Sequence, residues 1–218
     1  AFGALDARDF KTTVGLILQK KDFKTVCSGV LVKPDVVLTA AHCLTDLVSV
    51  RVINNYQITR LEYIGVRGKN FWGKSWIQHP SYNGVQEGSV DIGLIFLNRK
   101  FNSRLNYNEL SQDIFSEIGQ ASHLYRIGFG KRGSSNIRNV FQVNYKRVFG
   151  DYIVVRDMYG MGGDSGGPLY SYNNNELKVI GIHCGRMLGD DGNLIGESYL
   201  QLLTAPIQEW IKKNLNDA

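Results

Sequence analysis

No segment of the 218-residue chain approaches the ~18 consecutive apolar residues that a membrane-spanning helix needs, so no membrane span is expected. Helical periodicity is scarce as well and is convincing only at the carboxy terminus. Elsewhere apolar runs are short and turn residues frequent. That pattern favours an all-β sandwich or barrel over alternating β-α units. There are only four prolines and three cysteines, against 24 glycines. No internal repeat or low-complexity stretch is evident. Basic residues occur as pairs at turns (Lys20-Lys21, Lys131-Arg132, Lys146-Arg147), which gives no nucleic-acid face. The net charge of +5 implies at most a mild preference for acidic surfaces. With 43% hydrophobic residues the chain can core one or two units.

What is present is concentrated in a few short segments. Gly162-Gly-Asp-Ser-Gly-Gly-Pro168 combines a nucleophile with glycines that allow φ > 0 and close backbone approach. Such a loop can aim the N–H groups of Gly163 and Ser165 into one cavity, where a developing oxyanion gains roughly 3–4 kcal/mol per donor. Ser165 alone is a weak nucleophile and needs a base and an orienting acid.

The base candidate is His42. Val30 to Val32 and Val36 to Thr39 read as two short strands joined by a Lys33-Pro34-Asp35 turn, and His42 follows the second. The acid candidate is Asp91, heading the apolar strand Asp91-Ile-Gly-Leu-Ile-Phe-Leu97, where a carboxylate can receive the imidazole N–H. The order His42, Asp91, Ser165 is one of the known arrangements of a catalytic triad. His79 and His123 carry no motif and read as surface residues. At the carboxy terminus, Thr204 and Pro206 open a helix over 205–215. Its apolar face is Ile207, Trp210, Ile211 and Leu215, with Gln208, Glu209, Lys212 and Lys213 mostly outside, and it packs on the second half of the chain.

These segments resemble the chymotrypsin/trypsin superfamily of serine endopeptidases. Leu38-Thr-Ala-Ala-His-Cys43, Asp91-Ile-Gly-Leu94 and Gly163-Asp-Ser-Gly-Gly-Pro168 carry the resemblance, with Gly128-Phe-Gly130 similar to the turn where the family's second barrel begins. The resemblance implies an all-β fold of two packed six-stranded antiparallel barrels with a C-terminal α-helix. The barrels are expected at 1–110, carrying His42 and Asp91, and 111–218, carrying Ser165, with an irregular crossover near Lys100 to Gln120. The function implied is a secreted serine endopeptidase working through an acyl-enzyme. The alternative is a catalytically silent binding protein on the same fold. No metal or organic cofactor is expected; the family's calcium loop needs clustered carboxylates, and Glu62 and Glu87 stand alone.

The family forms a disulfide at the positions of Cys27 and Cys43. It implies an oxidising compartment, hence a secreted or periplasmic protein after removal of a signal peptide and a pro-segment. A single bridge points, by analogy, to a bacterial-type member. Cys184 occupies the place of a family serine and reads as a small buried thiol, with pairing to another chain or a redox role as alternatives. Asp164 is expected to pair with the α-ammonium of a cut amino terminus, here Ala1, where a larger Ile or Val is usual.

The substrate pocket stays open among three readings. Tyr159 stands where trypsin-like members carry the pocket-base aspartate. His183, aided by Arg186, resembles the histidine of glutamyl endopeptidases and would favour acidic side chains. Glu197 on the far wall would favour Lys or Arg, or would pair with His183 or Arg186 and leave a neutral or narrowed pocket. Expected partners are a protein or peptide substrate and a protein inhibitor, with the protein itself a monomer.

Overall fold

A computed structural model describes residues 6, 8, 10–63, 71–84, 88–101 and 110–216, apart from the side chains of Leu61 and Glu62. The first half comprises β1 (Thr13–Lys20), β2 (Lys24–Lys33), β3 (Val36–Thr39), α1 (Ala41–Leu44), β4 (Leu47–Ile53), β5 (Gln57–Ile58), α2 (Arg60–Tyr63), β6 (Phe71–Gln78) and β7 (Gly93–Leu97). The second comprises α3 (Ile114–Gln120), β8 (His123–Gly128), β9 (Lys131–Arg132), β10 (Ser135–Ile137), β11 (Asn139–Phe149), β12 (Tyr152–Arg156), β13 (Pro168–Asn173), β14 (Glu176–Leu188), β15 (Leu194–Leu202) and α4 (Ala205–Asn216).

Two closed antiparallel barrels result, in the order β1-β2-β3-β7-β6-β4 and β11-β12-β15-β14-β13-β8. Closure leaves no open sheet edge in either barrel. A small sheet, β5-β10-β9, joins one barrel to the other. The predicted all-β, two-barrel architecture with its C-terminal helix is what the chain adopts.

Burial explains the strand pattern. In β1, seven of the eight residues are buried, because its inner face fills the first barrel and its outer face is covered. Ile17 and Ile53 of the first barrel meet Phe129 of the second in a compact apolar cluster with Ile58. This cluster fixes one barrel on the other close to the cleft.

Several local expectations differ from the fold. The second barrel opens with β8, so Gly128-Phe129-Gly130 ends its first strand rather than starting the barrel. The crossover contains α3, capped by Asp113, whose carboxylate accepts from Ser116 N–H at 3.1 Å. Gln208 faces inward, not outward: it is buried and donates to the carbonyls of Ser111 (2.5 Å) and Leu203 (2.7 Å). α4 also reaches the first barrel, where Trp210 packs on His79 with ring centroids 4.9 Å apart. Lys33 donates to the Leu215 carbonyl there. His79 is therefore half-buried under the helix, and His123 is half-buried against Tyr125 and Tyr172.

No helix of the described residues is long and apolar enough to cross a membrane.

Candidate active site

α1 holds His42 immediately after β3, and three features fix that short helix. Cys27 and Cys43 form a disulfide that ties it to β2. Buried Lys20 donates to the carbonyl of Cys43 at 2.7 Å and to that of Thr45, closing the helix's carbonyl end with a cation. Burial pulls the Lys20 ammonium below its ordinary pKa. Asp91, only 3% exposed, accepts from the His42 backbone N–H at 2.8 Å and lies 2.7 Å from Nδ1 through its other oxygen. A carboxylate can only accept, so Nδ1 carries the proton and Nε2 is left free as a base.

Cys184 lies behind the dyad as a free, buried thiol. Its Sγ donates to the Ile182 carbonyl at 3.4 Å. Burial first, then the Asp91 charge, push its pKa well up, so it stays a neutral thiol and not a nucleophile.

Ser165 lies on a turn sewn to the first barrel by Ser28. The Ser28 N–H donates to the Ser165 carbonyl (2.7 Å), its Oγ donates to the Gly163 carbonyl (2.7 Å), and the same Oγ accepts from Phe129 N–H (2.8 Å). Gly163 has φ +102°, and a β-carbon there would lie 2.6 Å from the Phe129 carbonyl oxygen, so only glycine fits. Among the described residues no acceptor is assigned to the N–H of Gly163 or of Ser165. The Ser165 hydroxyl donates to the Cys184 carbonyl at 3.4 Å. That bond is long, so rotation toward His42 Nε2 breaks only a weak contact.

Asp164, next to the nucleophile, is completely buried and already has partners. It accepts from Gly130 N–H (2.7 Å) and Met161 N–H (3.0 Å), and Arg126 Nη1 lies 2.9 Å from its Oδ2. Arg126 is equally buried and also grips Asp157, with Nε 2.6 Å from Oδ2 and Nη2 donating to Oδ1 at 3.1 Å. Ala1 falls outside the described residues.

The network continues to the predicted pocket residues. Ser198 Oγ donates to Asp157 Oδ2 at 2.8 Å, which leaves it to accept from His183 Nε2 at 3.2 Å. His183 is buried; burial and then Arg126 hold its pKa down at about 3, so it is neutral. Glu197 turns away from these groups and pairs with Lys146 and, at 3.7 Å, with Arg147. Tyr159 is exposed and stacks on Phe141 at 5.1 Å. Arg186 lies against the 159–161 segment: a β-carbon on Gly160 would be 2.9 Å from its Cδ. The structure thus brings His42 to Asp91 and places Cys43 Sγ of α1 3.8 Å from the Ser165 carbonyl oxygen, and it pairs Glu197 with Lys146 and Arg147 instead of His183 or Arg186.

Sequence reasoning missed Ser28, Lys20, Arg126, Asp157 and Ser198. One signal was available for Arg126. Strand alternation puts it on the inward face of β8 with Leu124, and a charge at such a position requires a buried partner.

Cys27, His42 and Cys43 are the grouping of metal-ligand types found among the described residues. Two of the three are joined as a disulfide and offer no thiolate. Glu87 lies outside the described residues, as does the Glu62 side chain.

The sequence profile of the family described as Trypsin matches residues 5–199. Cathepsin G of Homo sapiens is 31% identical over 178 residues, covering 72% of this chain and 68% of that protein. Granzyme M of Homo sapiens is 39% identical over 75 residues, 34% of this chain and 28% of its own. A solved structure titled HL collagenase superposes with a TM-score of 0.75 at 19% identity, covering 95% of this chain and 94% of that one. The chain belongs to the trypsin family. Its architecture and its His42–Asp91 dyad imply serine-type endopeptidase activity, and its disulfide fits an extracellular or periplasmic setting.

Two stability outcomes follow from this geometry. Reducing the disulfide, or replacing both cysteines by serine, is expected to cost about 3 kcal/mol for a loop of this length. Urea titration of reduced and oxidised protein checks this, and peptidase activity should fall before global unfolding, since α1 loosens first. The second outcome concerns pH. The unfolded His183 binds its proton near 6.5 and the folded one near 3. Between those values the unfolded chain holds more protons, so stability falls as pH drops through that window. Denaturant titrations at stepped pH should show this slope, and His183→Leu should flatten it.

Proposed function

We propose that the protein hydrolyses peptide bonds by acyl transfer with His42, Asp91 and Ser165 as the triad. Ser165 Oγ attacks the scissile carbonyl while His42 Nε2 takes its proton. The N–H groups of Gly163 and Ser165 receive the oxyanion. The tetrahedral adduct collapses to an acyl-enzyme as His42 returns the proton to the leaving amine, and water repeats the sequence to release the acid. Asp91 fixes the tautomer and stabilises the imidazolium. The observation that carries this reading is the doubly engaged Asp91 carboxylate, which holds His42 by backbone and ring together. A base so restrained beside a serine with two unengaged N–H groups has the parts acyl transfer requires. The test is pre-steady-state hydrolysis of an activated ester. A burst of one leaving group per enzyme supports the reading, and a linear trace with no burst or turnover supports the silent-binding alternative.

Arg126 is proposed as the counter-charge that shapes the nucleophile loop through Asp164. An internal guanidinium supplies the cation that the resemblance assigns to Ala1, and it keeps its proton throughout the working pH range. For the substrate pocket, Glu197 is taken by two cations and His183 is neutral and engaged by Ser198. Arg186 is the charge left facing Gly160. This supports a pocket narrowed by Arg186 that favours short uncharged or acidic side chains over Lys and Arg. The disulfide and the single remaining thiol support export as a bacterial-type secreted protease, acting on protein or peptide substrates as a monomer.

A further inference from the structure

A groove of about 700 Å³ opens beside the nucleophile loop, bounded by Gly162 and Gly163 on one side and Lys24 to Val26 on the other. Lys24, Arg60 and Lys131 all line it, and all three are exposed. No ion pair is assigned to any of them among the described residues. No described lining residue is a carboxylate. Three cations from β2, α2 and β9, with no ion pair assigned among the described residues, therefore converge on one concavity beside the nucleophile loop.

The side of the cleft on which the groove lies gives it a role. Ser165 is flanked by β14, through the Cys184 carbonyl, and by β2, through Ser28. His42 must hand its proton to the leaving amine, and the Cys27–Cys43 disulfide ties His42 to β2. The leaving half of the substrate thus departs on the β2 side, into this groove, while the acyl half lies along β14.

We propose that Lys24, Arg60 and Lys131 form a binding site for acidic residues that follow the scissile bond, so that the enzyme selects substrates with Asp or Glu on the leaving-group side. This rests on the acyl-transfer reading above. Each exposed cation adds a modest Coulomb gain, and two carboxylates among three cations sum to about a tenfold preference at low salt. Their attraction also concentrates acidic peptides at the cleft before contact.

The leaving half can be tested without knowing the acyl half. An acyl-enzyme formed from a small activated ester is offered the peptide amides Ala-Glu-Glu-NH₂ or Ala-Lys-Lys-NH₂ in competition with water. The amine attacks the Ser165 ester carbonyl, an amide forms, the ester C–O bond breaks, and the amine's proton passes through His42 to Ser165 Oγ. The acidic amide should capture about ten times more acyl group than the basic one. That advantage should shrink in 0.5 M salt and disappear in the Lys24→Gln, Arg60→Gln, Lys131→Gln triple variant, with hydrolysis by water unchanged. Equal capture by both amides at low salt overturns the proposal even though the burst persists, whereas loss of the burst itself defeats the parent reading. A triple variant that loses affinity for heparin, with the two amides captured equally, would assign the cluster to polyanions and also overturn it.

Discussion

Asp91→Asn is expected to lower kcat by about 10⁴-fold while the protein stays folded. The reason is the proton on the imidazole. The Asp91 carboxylate accepts only, and it sits 2.7 Å from His42 Nδ1, so it forces the tautomer that leaves Nε2 as a base. An amide can present its NH₂ to Nδ1 instead, which places the ring proton on Nε2, facing Ser165, where it cannot act as a base. Losses of this size are measured in triad enzymes when that acid becomes an amide. The His42 backbone N–H would keep its acceptor in the amide oxygen, so α1 should hold its place. Steady-state kinetics alongside near-ultraviolet circular dichroism check this. A variant within tenfold of wild type would mean that Asp91 does not orient the base.

Arg126→Met is expected to be damaging too, but through the fold of the nucleophile loop. The side chain stands between two fully buried carboxylates, Asp157 and Asp164. Removing it leaves Asp157 without its cation and Asp164 with only the more distant Arg132 at 3.7 Å, and one uncompensated buried charge costs on the order of 3–5 kcal/mol. Protonation of the carboxylates or entry of water then relaxes the loop that places the Gly163 and Ser165 N–H groups. Activity should fall by two orders of magnitude or more, with a lowered urea midpoint. Arg126→Lys should rescue poorly, because one ammonium cannot reach both carboxylates as the guanidinium does. The same account makes the amino terminus dispensable. Forms extended upstream of Ala1 should retain activity, and the rate should hold as pH rises through 8 to 10. Had an α-ammonium at Ala1 been the partner of Asp164, its raised pKa would support the active loop below that value and release it above. A high-pH loss together with an inactive extended form would therefore return the role to Ala1.

The parts of this protein that were legible in the sequence are those whose meaning is local. Thr39 to Cys43 and Gly162 to Pro168 each place a strand end, a turn and a reactive side chain within a few residues, so the dyad base and the nucleophile loop could be read directly. Short apolar runs and abundant turns gave the all-β class, and the family resemblance narrowed it to two barrels. The supporting groups were not legible because their partners are remote. Arg126 acquires its role only when strand pairing brings Asp157 and Asp164 beside it. Ser28 likewise meets Gly163 only across the barrel interface. Glu197 was assigned to the pocket wall from its place along the chain, but it pairs with Lys146 and Arg147 of β11, across the intervening β12. α3 is too short to show a helical period, and Gln208 faces inward because two backbone carbonyls there need a donor.

Mass-spectrometric mapping of a fluorophosphonate-treated sample tests the central claim most directly, since the probe bonds only to a serine that a base has activated. The account predicts a single adduct on Ser165, its absence in Ser165→Ala, and loss of peptidase activity by about 10⁶-fold in that variant. A well-folded wild-type protein left unlabelled, or labelled at another residue with its peptidase activity intact, would contradict it.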